Sequence, residues 1–157
     1  MAVRLVPFDR GFLDRSWVWL HDGETKRLTM TPDFTREDQR RFFESLPSRS
    51  DYRIWGVILD PEGAIGAAGL KHIGGGSAEY WGYIGEKSWW GRGLGGEMLA
   101  AVEAEARRLG LARLNLRVAA ENIRAVRLYE RAGFERSEER SGVLVMRKSV
   151  KSEDRHP

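Results

Sequence analysis

The chain has 157 residues and no cysteine, and its 26 basic and 23 acidic residues leave a net charge of +3. This length fits one domain with one core. The missing thiols exclude disulfides, thiolate zinc sites and a cysteine nucleophile, and there is no run of about 18 apolar residues to cross a membrane.

The first seven residues lack the long apolar stretch of a secretion signal. With the absence of cysteine, this sets the expectation of a cytoplasmic location. Lys and Arg are spread over every predicted helix, not gathered on one face, so no nucleic-acid partner is expected.

Residues 3–8 read as a first strand, stopped by Pro7-Phe8-Asp9. Phe12, Leu13, Trp17 and Leu20 recur at helical spacing and predict a first helix. Thr31-Pro32-Asp33-Phe34 is a loop, and Thr35 with Asp38 three residues on marks the next helix start. Phe42, Phe43 and Leu46 form its apolar side, and Pro47 ends it.

Residues 52–59 are rich in strand formers, Asp60-Pro61-Glu62-Gly63 is a turn, and residues 64–73 return, so a hairpin is predicted. Gly74-Gly75-Gly76 makes a tip, and residues 78–85 form the next strand. The clearest helix follows. Leu94, Met98, Ala101, Val102, Ala106 and Leu109 fall on one stripe, with Glu97, Glu103, Arg107 and Arg108 off it and Glu105 at its edge. Glu103 and Arg107 have the spacing of a helical ion pair. Gly110 closes the helix.

Leu114, Leu116 and Val118 alternate as a strand, and Asn122 opens a helix that ends near Gly133. Residues 134–137 and 142–147 predict a closing hairpin, and residues 149–157 a frayed polar end. The order is strand, two helices, three strands, helix, strand, helix, two strands. It predicts an α/β domain over 1–149 around one mixed sheet, with a polar tail at 150–157.

The segment Gly91-Arg92-Gly93-Leu94-Gly95-Gly96 lies between a strand and that helix. The first N–H groups of a helix have no intrahelical partner and carry partial positive charge. Glycines let a phosphate approach them without meeting a Cβ. The segment therefore predicts an anion site. Read literally, Gly91-x-Gly93-x-x-Gly96 also matches a dinucleotide fingerprint. Too little chain follows Glu121, the nearest acidic ribose partner, to complete such a domain. No Gly-Lys-Ser/Thr follows, so a Walker P-loop is excluded.

Trp90-Gly91-Arg92-Gly93-Leu94-Gly95 resembles the acetyl-CoA signature of the GNAT superfamily of N-acetyltransferases. The family usually opens that signature with Arg or Gln where this chain has Trp90. The Trp-Gly-Arg-Gly form resembles two branches, acetyltransferases of ribosomal-protein N-termini and of nucleotide-linked amino sugars. The stretch from Asn122 through Ala125 and Tyr129 to Gly133-Phe134 is similar to the family's second motif.

The resemblance implies a GNAT-like fold, a mostly antiparallel sheet of about seven strands with about four helices. It implies acetyl-CoA as co-substrate, no metal, and a small-molecule or peptide amine as acceptor, in a monomer or homodimer with no membrane partner. Arg92, Leu94 and the glycines Gly91, Gly93, Gly95 and Gly96 would hold the pyrophosphate. Tyr83, Ile84 and Gly85 would contact the pantetheine arm and acetyl carbonyl, with Asn122 and Ala125 adding cofactor contacts.

Direct acetyl transfer needs a neutral amine, a polarised thioester and a protonated leaving thiolate. Tyr129, two turns after Asn122, is the candidate acid, since a phenol's pKa of about 10 is near a thiol's. The strand position where N-terminal acetyltransferases carry a Glu base holds Arg117, which cannot accept a proton. Glu79 is the first candidate base, followed by His72 and Glu86, with a water chain as the alternative. Trp81, Trp89 and Trp90, with Arg15, Trp17, Trp19 and His21, are candidates to shape the acceptor pocket. A nucleotide-linked amino sugar leads among acceptors and a protein N-terminus follows. A non-catalytic acyl-CoA-binding module is the alternative from another class.

Overall fold

The structure, a computed structural model, describes residues 2–151. Seven strands form one sheet: β1 (Ala2–Pro7), β2 (Arg53–Asp60), β3 (Gly63–Gly74), β4 (Ser77–Ile84), β5 (Arg113–Ala119), β6 (Glu135–Arg140) and β7 (Val143–Ser149). Their spatial order is β1-β2-β3-β4-β5-β7-β6, antiparallel throughout except for the parallel pair β4–β5. Five helices accompany them: α1 (Arg10–His21), α2 (Gly23–Leu28), α3 (Arg36–Ser45), α4 (Leu94–Arg108) and α5 (Ile123–Arg131). No described helix is long and apolar enough to cross a membrane.

Local signals explain most boundaries. Thr35 and Asp38 form a reciprocal capping box at α3. Asn122 caps α5 by accepting the Ala125 N–H, and Gly110 follows α4 with φ 77°. The fifth helix, α2, is absent from the sequence reading. It has only six residues and no apolar stripe, and it is held by Asp22, whose carboxylate accepts the Thr25 N–H at 3.0 Å.

The core lies between the sheet and α4. Leu99, Val102 and Ala106 meet Leu59, Ile65, Leu70, Tyr80, Leu114, Leu116 and Met146, all essentially without exposure. Alternation along β4 sends Tyr80 toward this core, while Trp81 and Tyr83 stand on the other face, near Tyr52 and Trp19.

One expectation is corrected here. Glu103 does not sit off the apolar stripe of α4 with Arg107 as partner. It is buried, and its Oε2 lies 2.7 Å from Lys148 Nζ on β7. The Arg107 Nε instead donates to the Val150 carbonyl at 3.1 Å. Val150, just past the last strand, is buried and its N–H donates to the Ala112 carbonyl. The rest of the expected tail, residues 152–157, lies outside the described residues.

Candidate active site

The parallel ladder between β4 and β5 covers only Ser77↔Arg113, Ala78↔Leu114 and Glu79↔Asn115. Both strands continue, β4 to Ile84 and β5 to Ala119, and they diverge. Their facing edges therefore leave backbone donors and acceptors free for something other than each other. A cleft of about 1190 Å³ occupies the wedge. One arm runs past Trp89, Trp90, the glycine turn and α5. The other runs between β4 and the helices α1–α3, past Leu13, Ser16, Thr25, Gln39, Phe42 and Tyr52.

On the first arm, Gly91, Gly93, Leu94 and Gly95 line the cleft, while Arg92 and Gly96 lie just outside its wall. Gly91 and Gly93 have φ of 74° and 80°, a region that penalises any Cβ. Gly93 is the N-cap of α4 and no side chain caps the helix, so its leading N–H groups remain available to an anion. Gly95 has a packing reason, since a Cβ there would lie 2.8 Å from Leu128 Cδ1 of α5. Gly96 has none within the protein, because a Cβ would meet nothing within 4 Å. That open space above the helix start fits a ligand's phosphate.

Trp90 anchors the turn. Its indole N–H donates to the Ile84 carbonyl at 2.7 Å. Lys87 and Arg124 lie over its ring at 5.5 and 5.7 Å, and Arg92 lies over Trp89 at 4.8 Å. The turn is thus surrounded by cations, which suits a pyrophosphate.

Tyr83 and Ile84 line the cleft at the divergence. Gly85 does not. Its N–H donates to Ile65 at 2.7 Å, and a Cβ there would collide with the Trp19 indole. This glycine serves the packing of α1 on the sheet.

Asn122, Ala125 and Tyr129 all line the cleft. The Ala125 N–H is spent on the Asn122 Oδ1 at 3.3 Å, which leaves the Asn122 amide N–H groups for a ligand. The Tyr129 ring packs edge-on against Tyr80 and Phe134. Among the described residues its hydroxyl has no hydrogen-bond partner, and burial pushes its pKa up to about 12. The phenol stays protonated across the working pH range and has a proton to give.

The expected bases fare differently. Glu79 is outside the cleft lining and is paired with Lys71 at 3.5 Å. His72 is exposed on the irregular end of β3, with φ 55°. Glu86 accepts the Trp19 indole N–H at 2.5 Å. None of the three stands in the cleft.

Nor do the first-helix candidates. Trp19 is buried on Gly85, and Trp17 stacks with His21, Phe34 and Arg36. Arg15 turns back toward the Gly11 carbonyl. Leu13, Ser16 and Leu20 of α1 line the cleft instead. Trp81, Trp89 and Trp90 are all in the wall.

The sequence reading missed that α2 braces both arms. Lys87, just before the glycine turn, reaches Asp22 at 2.8 Å and Glu24 at 2.9 Å. The Lys87 hydrogen bond, with the Thr25 N–H, holds the Asp22 pKa down to about 2. Arg27 of α2 pairs with Glu121, beside Asn122, at 3.1 Å. Among the described residues no group of three or more Asp, Glu or His could hold a metal ion.

No curated protein matches the chain in sequence. Solved structures match it in fold. The spermidine N-acetyltransferase of Vibrio cholerae, in complex with CoA and spermine, superposes with a TM-score of 0.84 at 21% identity, covering 94% of this chain and 95% of that one. The aminoglycoside acetyltransferase AAC(6')-Ib with coenzyme A gives 0.76 at 20% identity, covering 94% of each chain. The Campylobacter jejuni N-acetyltransferase PseH with acetyl coenzyme A gives 0.71 at 19% identity, covering 94% of this chain and 98% of that one. Residues 3–135 match the family described as acetyltransferase (GNAT) domain. With the glycine turn, the diverging strands and Tyr129 in one cleft, the chain belongs to the GNAT acetyltransferase family, enzymes that draw their acetyl group from acetyl-CoA.

Proposed function

We propose that the chain transfers acetyl from acetyl-CoA directly to a primary amine, with both substrates in the cleft together. The observation that carries this reading is the place of the Tyr129 hydroxyl. It has no hydrogen-bond partner among the described residues and stands in the cleft that joins the glycine turn to the diverging strands.

In this reading the free N–H groups at the start of α4, with Gly91, Gly93 and Gly96, hold the pyrophosphate. The open edge of β4 at Tyr83 and Ile84 aligns the pantetheine arm, and the Asn122 amide adds a donor. A neutral amine enters from the α1–α3 arm. Its N–C bond forms as the C–S bond breaks, the departing sulfur takes the Tyr129 proton, the amine's proton leaves to solvent in the cleft, and the phenolate then takes a proton back from that solvent. Glu79 receives no part, because it is paired with Lys71 and is not itself among the residues lining the cleft. The absence of cysteine agrees with direct transfer.

Among amines, a nucleotide-linked amino sugar suits the acceptor arm. Trp81, Tyr52 and Phe42 line it with faces on which a sugar or base can pack. The relatives named above, a spermidine and an aminoglycoside acetyltransferase, also take small amines. The test is thiol release from acetyl-CoA with a panel of nucleotide amino sugars, aminoglycosides, polyamines and N-terminal peptides. Release with a nucleotide amino sugar supports the reading. No release from any acceptor despite tight acetyl-CoA binding would make the chain a non-catalytic acyl-CoA-binding module.

A further inference from the structure

The charges lining the cleft are unequal in number and in commitment. Three carboxylates line it, Glu24, Asp38 and Glu121. Glu121 pairs with Arg27 at 3.1 Å and Glu24 shares Lys87 with Asp22, at 2.9 Å, while Asp38 accepts the Thr35 N–H of its capping box at 2.8 Å. Of the three, only Asp38 has no cation paired with it. Five cationic residues line the same cleft, Arg27, Lys71, Arg117, Arg124 and Arg131. Arg27 and Lys71 have carboxylate partners. Arg124 and Arg131 lie seven residues apart on α5, on one side of that helix, and Arg124 sits over Trp90 of the glycine turn.

Arg117, Arg124 and Arg131 are all exposed and have no ion-pair partner among the described residues, but Arg117 alone of the three stands on β5 and not on α5 beside the glycine turn. Its position follows from the ladder. Glu79 and Asn115 are paired in the parallel register and share a face. Two residues on along each diverging strand come Trp81 and Arg117, so they flank the wedge on that same face, which is the acceptor side. An uncommitted guanidinium there presents a planar fork of donors suited to phosphate or carboxylate.

We propose that Arg117 anchors an anionic group of the acceptor, so that the preferred substrate is an amine carrying a phosphate or carboxylate and not a free polyamine. This rests on the acetyl-transfer reading, and it adds a specificity-determining residue to it. Arg117 also places positive charge near the incoming nitrogen, which favours the neutral amine that transfer needs.

The experiment compares wild type with Arg117→Ala and Arg117→Lys. The acceptors are an amino sugar, its phosphate ester, its nucleoside-diphosphate conjugate, an amino acid, the matching amino acid amide, and spermidine. Two readouts are taken: equilibrium binding to the CoA-saturated protein, and kcat/KM from thiol release. Wild type should prefer a phosphorylated or carboxylated acceptor over its neutral match by roughly tenfold or more. The two kinds of match show whether phosphate or carboxylate is the better fit. Arg117→Ala should bring that ratio to about one, Arg117→Lys should restore part of it, and acetyl-CoA affinity should stay within about twofold in both. An unchanged ratio in Arg117→Ala, or tighter wild-type binding of spermidine than of any anionic acceptor, overturns the proposal. Arg117-dependent anion preference in binding with no thiol release removes the transfer reading and keeps the anion site.

Discussion

Trp90 hands its indole N–H to the carbonyl oxygen of Ile84 at 2.7 Å, and so ties the glycine turn to the last residue of β4. The start of α4 and the open edge of β4 are thereby held in one fixed relation. Where the family usually has Arg or Gln, this chain uses a donor that also gives Lys87 and Arg124 a ring to pack on.

Trp90→Phe should loosen that relation. It leaves the Ile84 carbonyl without its partner, at a cost of about 1–3 kcal/mol. Acetyl-CoA affinity by calorimetry should fall about tenfold, with a small loss in thermal midpoint. Trp90→Gln keeps a donor and should recover part of the affinity. Full affinity in Trp90→Phe would show that the hydrogen bond does not shape the site.

Gly96→Ala separates folding from ligand binding. Nothing in the protein meets a Cβ there, and alanine is the better helix former by about 0.5–1 kcal/mol. The thermal midpoint of the ligand-free protein should rise while acetyl-CoA affinity falls. A rise in midpoint with unchanged affinity would mean that the pyrophosphate lies elsewhere.

The buried pair Glu103–Lys148, at 2.7 Å, should behave as a unit. Lys148→Met leaves a carboxylate buried and unpaired, a loss of about 3–5 kcal/mol in denaturant unfolding. The double variant with Glu103→Gln should cost clearly less. Additive losses would argue against coupling between the two.

Burial raises all four tyrosines of the chain. Tyr52 and Tyr129 rise to about 12, and Tyr80 and Tyr83 also shift upward. An unfolded tyrosine titrates near about 10. Above that pH the unfolded chain releases phenolic protons that the folded chain keeps. The stability these groups provide is therefore whole below about pH 10 and is lost as pH climbs toward about 12. Phenolate absorbance should appear only as circular dichroism is lost. Titration of any of them near pH 10 in the folded protein would contradict this.

The sequence carried the parts of the site that rest on local chemistry. The glycine turn, the Asn122 cap and Tyr129 are set by short-range backbone needs and helical spacing, so they were legible. What escaped depends on contacts between distant segments. Glu103 was read by its spacing from Arg107, yet its partner is Lys148 on the last strand. The packing of Gly85 on Trp19 likewise joins distant segments. The helix α2 is too short for periodicity. Only Asp22, bonded to the Thr25 N–H, signals its start, and its ties to Lys87 and Glu121 appear only in three dimensions. Glu79 carried the right chemistry for a base, but a cross-strand Lys71 occupies it.

Tyr129→Phe tests the central claim most directly, by measuring acetyl-CoA affinity and turnover on the same protein. The ring keeps its packing on Tyr80 and Phe134, so affinity should stay within about twofold. Turnover should fall by about 10²–10⁴, the range for a lost general acid. Turnover equal to wild type with unchanged affinity would contradict the assignment of Tyr129 as the proton donor.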